Sequence, residues 1–146
     1  MPKQHLNNPS EQTEPWAGML ALVVGRDERL NSTLRDTLHK IGMRSSYAAT
    51  VPEAMAEAHR HRPSLLIVEI DLDAMQSGLW LARTLRASYG VSVLFVTEHP
   101  DGELRQVIAE NGGGGILRRP FQRDQLAQSL RLVMDWYILR TRSDQA

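Results

Sequence analysis

The chain has 146 residues, 42% of them hydrophobic, which suits one domain with a real core. Its 17 Lys and Arg balance 17 Asp and Glu, so no bulk field draws it to nucleic acid or to an acidic membrane surface. The lack of cysteine excludes disulfides, thiol catalysis and thiolate metal sites, and no apolar run approaches a bilayer span or a secretory leader, so the expectation is a cytoplasmic protein.

Residues 1–17 read as a flexible N-terminal tail, polar and turn-rich, with Trp16 at the edge of the core. Met19 to Val24 is an apolar run broken at Gly25 and reads as a first buried strand. Asp27 or Glu28 then starts a helix, because a carboxylate there accepts free amide protons and suits the helix dipole. Leu30, Leu34, Leu38 and Ile41 follow at helical spacing, and Gly42 supplies the stop.

Arg44 to Ala48 is a shorter, half-polar strand. Thr50 with Glu53 three residues on makes a capping box, with Pro52 in the first turn, and that helix runs to about His61. The next run, Leu65-Leu66-Ile67-Val68-Glu69-Ile70-Asp71, is the centre of the chain. It is apolar until it stops at a carboxylate, as a strand buried on both faces would.

Gly78 is read as opening a helix with Leu79, Ala82 and Leu85 inward. Val91 to Thr97 is another apolar strand, ending on a hydroxyl. Asp101 to Asn111 is a helix of modest apolarity, Gly112 to Gly115 a flexible loop, and Ile116-Leu117 a brief strand. Phe121 begins a last helix that reaches roughly Arg140. Strand and helix alternate five times, which implies a parallel α/β sheet, since each parallel crossover needs a covering helix. In such sheets ligands and chemistry collect at the carboxyl ends of the strands, so the question becomes what Glu69 faces.

Three stretches carry a more specific signal: Glu69-Ile70-Asp71-Leu72 with Gly78-Leu79, Phe95-Val96-Thr97, and Leu117-Arg118-Arg119-Pro120-Phe121. Together with the five alternating units they resemble the receiver domain of response regulators in two-component signalling. The likeness covers roughly residues 19 to 140. It implies a flavodoxin-like, five-stranded parallel sheet of order 2-1-3-4-5 with helices on both faces, occupying residues 18–141 between the N-terminal tail and a short C-terminal tail, 142–146.

Carried over position by position, the resemblance also exposes departures. Receivers hold magnesium with two acidic residues after the first strand; here Gly25 and Arg26 stand there. The phosphate-accepting aspartate is replaced by Glu69, and the phosphoryl-contacting lysine by Arg119. The aromatic switch position is Ile116. Thr97 and Pro120 are as the family has them, with the Arg119–Pro120 bond cis in the family.

Magnesium favours an octahedron of oxygens that includes carboxylates, so a loss of both acids and a gain of Arg26 imply no metal and no cofactor. Glu69 reaches one methylene further than aspartate, into the phosphoryl space, where Arg26 and Arg119 are expected to hold it by charge-assisted bonds. Plainer readings stand beside these. Arg26 facing solvent, Asp27 and Glu28 as helix-start residues, and Thr97 closing its strand by a backbone bond are all compatible with the sequence.

The five histidines show no metal-ligand spacing with acidic partners, and Gly112 to Gly115 lacks the Lys and Ser/Thr of a phosphate loop. The last helix carries two apolar stripes: Leu126, Leu130, Val133 and Tyr137 toward the sheet, and Leu132, Trp136 and Leu139 outward. With Trp80, this second stripe is the interface candidate, on the side where receivers commonly dimerise or dock partners.

The expected function is a stand-alone, degenerate pseudo-receiver that signals by phosphorylation-independent contact with a histidine kinase or another regulator, as a homodimer through its last helix, without enzymatic, nucleic-acid or membrane activity. With no effector domain after residue 146, transcription control would need a separate protein. The alternatives are a phosphorelay receiver using Asp71 or Asp27, and a sensor of an anionic small molecule bridging Arg26 and Arg119.

Overall fold

A computed structural model describes residues 14–70 and 75–145. Five strands and five helices alternate: β1 (Leu20–Val24), α1 (Glu28–Lys40), β2 (Arg44–Ala48), α2 (Val51–His61), β3 (Leu65–Glu69), α3 (Met75–Tyr89), β4 (Ser92–Thr97), α4 (Gly102–Glu110), β5 (Gly115–Arg118) and α5 (Arg123–Gln145). All pairings are parallel and the order is β2-β1-β3-β4-β5, the expected doubly wound sheet.

Alternation along the central strands divides the core in two. Ala21, Val23, Leu65, Ile67, Leu94 and Val96 face one side, where α1 and α5 bring Leu30, Leu34, Leu126 and Leu130. Leu22, Leu66, Val68, Val93 and Phe95 face the other, covered by α2, α3 and α4. Continuous apolar strands are the consequence, since both faces are buried. Trp16 belongs to the first core, 3% exposed, and its indole N–H donates to the Ile41 carbonyl at 3.0 Å, so the fold begins before Gly18.

The helix ends follow local chemistry. Asp27 caps α1, its Oδ1 accepting from the backbone N–H groups of Arg29 and Leu30. At α2 the Thr50 hydroxyl accepts from Glu53 N at 3.2 Å, but Glu53 reaches back to Ala49 N rather than Thr50 N. The capping box is thus displaced by one residue on its return arm.

Two boundaries and one loop differ from the sequence reading. Helix α3 starts at Met75, so Gly78 lies inside it; a Cβ there would sit 2.9 Å from Ile70 Cγ1 and 3.1 Å from Val68 Cγ1. Gly78 therefore lets α3 lie close on β3 and is not a start signal. Helix α5 continues through residues 142–145, which had been set aside as a tail, because no glycine or proline stops it. The glycine loop is clamped: Arg86 of α3 donates to the Asn111 carbonyl at 3.0 Å and also to the Gly113 carbonyl. Residues 1–13, 71–74 and 146, including Asp71 and Asp73, lie outside the described residues.

Candidate functional site

The carboxyl edge of the sheet gathers Gly25 after β1, Glu69 at the end of β3, Thr97 at the end of β4, and Arg119 and Pro120 after β5. Gly25 runs so close to β3 that a Cβ on it would lie 3.1 Å from Glu69 Cβ. Its missing side chain leaves the space that the longer Glu69 side chain fills.

Arg119 is the hub of this edge. Its Nη1 donates to Glu69 Oε2 at 3.1 Å and its Nη2 to Asp27 Oδ2 at 2.5 Å. The three side chains are 26%, 24% and 34% exposed, respectively, so the pairs are neither fully wet nor sealed from water. Asp27 thus works twice: Oδ1 caps α1 while Oδ2 binds Arg119. The bonded Arg119 guanidinium, aided by the Leu30 N–H, holds the Asp27 carboxyl below its ordinary pKa.

The Glu69–Arg119 pair is as expected from the sequence; the expected place of Arg26 is corrected. Its side chain is exposed and Nε donates at 3.4 Å to the Ala49 carbonyl, across the β2–α2 loop. The strand explains this. Alternation counted from Ala21 and Val23 carries Gly25 and Asp27 to the side where Glu69 continues from Leu65 and Ile67, and turns Arg26 to the other. The sequence offered Asp27 as a helix-start residue or as an alternative phosphoacceptor, but not as a partner of Arg119, although this count places it on the Glu69 side.

Thr97 is buried, and its hydroxyl accepts from His99 N at 3.1 Å, the strand-closing role. The Arg119–Pro120 bond is cis. Ile116 is half-buried against the core under α3 and α4. Because Arg26 and Arg119 do not converge, the idea of an anion bridging them fails. Magnesium is poorly suited too: the carboxylates of Asp27 and Glu69 that face this edge are both bonded to a guanidinium, a fixed cation in the place a metal would need.

On α5, Leu132, Trp136 and Leu139 are 61%, 64% and 60% exposed, and Trp80 on α3 is 43% exposed. Leu126, Leu130 and Met134 point inward and are fully buried. The second apolar stripe is therefore an outer surface, as its spacing implied.

Comparison with known proteins decides the family. The profile of the response regulator receiver domain matches residues 21–131. The chain belongs to the receiver-domain family.

It is a receiver of two-component signalling. Two curated relatives come from Bacillus subtilis (strain 168). The uncharacterized transcriptional regulatory protein YvcP is 29% identical over 114 residues, covering 77% of this receiver and 47% of that protein. The transcriptional regulatory protein YxdJ is 28% identical over 104 residues, covering 70% and 44%. The chain thus spans just under half the length of these relatives. Among solved structures, Vibrio cholerae chemotaxis protein CheY4 is similar at TM-score 0.72 and 25% identity, covering 80% of this chain and 99% of that one. A response regulator from Thermotoga maritima shares the fold at TM-score 0.74 and 19% identity, with 81% and 98% covered. No helix among the described residues is long and apolar enough to cross a membrane.

Proposed function

We propose that this chain is a pseudo-receiver, a receiver domain that acts through protein contacts without running the phosphorylation cycle. The observation that carries this is Arg119, bonded at once to Glu69, in the phosphoacceptor position, and to Asp27. A carboxylate already neutralised by a bidirectional guanidinium is a poor nucleophile, and Glu69 fills the room an incoming phosphoryl group needs. Asp27 is an unsuitable substitute acceptor, since each of its oxygens has a partner.

The output surface in this reading is the outer stripe of α5. Leu132, Trp136 and Leu139 run along an exposed helix face, and an apolar stripe of this kind is unusual on a monomer. The partner is a second copy of the chain, with a histidine kinase or another regulator as the protein it reports to. YvcP and YxdJ, named as transcriptional regulators, carry their matching region within longer chains. The receiver's work here is therefore relay by contact, whatever reads the signal.

Sedimentation across a concentration series tests the surface. The wild type is expected to form a dimer. Leu132→Asp with Trp136→Asp is expected to sediment as a monomer with unchanged far-UV circular dichroism, because both side chains are exposed and contribute little to the fold. A wild type that stays monomeric at every concentration, or a variant that still dimerises, contradicts this choice of surface.

A further inference from the structure

At the amino ends of β4 and β5, opposite the Glu69 edge, a groove of about 620 Å³ opens between the C-terminal half of α5 and the α4–β5 loop. Its walls include Val91, Val93, Leu132, Val133 and Trp136, and its floor is lined by Gly112, Gly114 and Gly115. The floor stays low because side chains are excluded there: a Cβ on Gly114 would lie 2.9 Å from Phe95 Cε2, and one on Gly115 2.9 Å from Val133 Cγ2.

Two guanidiniums complete the lining, Arg86 from α3 and Arg140 from α5. Arg86 is fastened to the carbonyls of Asn111 and Gly113; Arg140 donates to the Gly90 carbonyl at 2.9 Å and to Ser92 Oγ at 3.2 Å. These bonds fix where the two cations sit and leave each with N–H donors to spare. Among the described side chains no carboxylate lines the groove. The two charges feel each other, since burial first and Arg140 second depress the basicity of Arg86. Two guanidiniums held beside an apolar surface favour a carboxylate, which each can meet with charge-assisted bonds.

We propose that this groove binds a small amphipathic carboxylate, its apolar body against Val93, Val133 and Trp136 and its carboxylate between Arg86 and Arg140. The volume lies in the range of small-molecule sites, and the mixture of an apolar wall with a few fixed polar groups is what such sites show. The site is separate from the Glu69–Arg119–Asp27 cluster and does not depend on how that cluster behaves.

The test uses the full chain with 4-phenylbutyrate as probe, read by displacement of 1-anilinonaphthalene-8-sulfonate and by intrinsic tryptophan fluorescence. Saturable binding of the acid is expected, with the neutral 4-phenylbutyramide roughly tenfold to a hundredfold weaker, the worth of one charge-assisted bond. Arg140→Gln is expected to bring the acid down to the amide's affinity while far-UV circular dichroism is unchanged. Leu132 and Trp136 belong to both the groove and the α5 pairing stripe, so Leu139→Asp, whose residue lies outside the groove, is the control: it is expected to weaken pairing and to bind the acid at least as well as wild type. Equal binding of acid and amide, an unaffected Arg140→Gln, or no saturable binding in either wild type or Leu139→Asp overturns the proposal.

Discussion

Gly114→Ala is expected to destabilise the receiver by roughly 2–5 kcal/mol, combining backbone strain with overpacking. Gly114 has φ +142, a conformation that side-chain-bearing residues rarely adopt. The added methyl group would also meet Phe95 Cε2 at 2.9 Å, and Arg86 Nη2 and the Val93 carbonyl at 3.2 Å. Phe95 is fully buried and Arg86 is held by two carbonyls, so neither gives way cheaply. Gly102→Ala is the matched control. It begins α4, nothing stands within 4 Å of its Cβ position, and a gain of about 0.4–1 kcal/mol is expected from the loss of unfolded-state freedom. Urea unfolding of the two variants beside wild type measures both; a neutral Gly114→Ala contradicts the clamp described for this loop.

Arg119→Ala is expected to cost about 1–3 kcal/mol at neutral pH. A wholly buried pair broken on one side costs more and an exposed pair less; these side chains are a quarter to a third exposed. Its removal leaves Asp27 and Glu69 without their shared cation. The pH dependence identifies the cause. The folded pKa of Asp27 is lowered, so its contribution is present above the ordinary carboxylate pKa of about 3.9 and is lost as pH falls through the lower, folded value. The gap between wild type and Arg119→Ala should therefore be widest near neutral pH and narrow steadily below about pH 5. Denaturant midpoints collected down the pH scale check this. A gap independent of pH would mean that Arg119 acts by packing alone.

Much of the fold was legible because its signals are local. The runs at β1, β3 and β4 are uninterruptedly apolar, the mark of strands covered on both faces, and Asp27, Thr50 and Asp101 cap helices where short polar residues are expected. What escaped were features made by distant neighbours. Gly78 reads as a helix start until Ile70 and Val68 are seen beneath it. Gly112 to Gly115 reads as a slack loop, since nothing nearby in sequence announces that Arg86, more than twenty residues earlier, will bind its carbonyls.

The candidate site divides in the same manner. Glu69 and Arg119 were paired through the resemblance to a receiver's pocket, where the ends of β3 and β5 lie on either side of β4. The error lay at Arg26, chosen for its charge when the strand's period of two assigns the inward place to Asp27. Charge told which residue types belonged together, while the period decided which neighbour could reach.

Glu69, held by Arg119, is proposed to stand in a pocket that does not accept phosphate. Intact-mass analysis of the wild type after incubation with acetyl phosphate, with and without magnesium, tests it most directly, beside Glu69→Asp. No phosphoryl adduct is expected on the wild type under either condition, and none on the variant, because Gly25 and Arg26 still occupy the positions of a receiver's magnesium-binding acids. A single magnesium-dependent adduct on the wild type, mapped to Asp71 or Asp27, would contradict it and make the protein a working phosphorelay receiver.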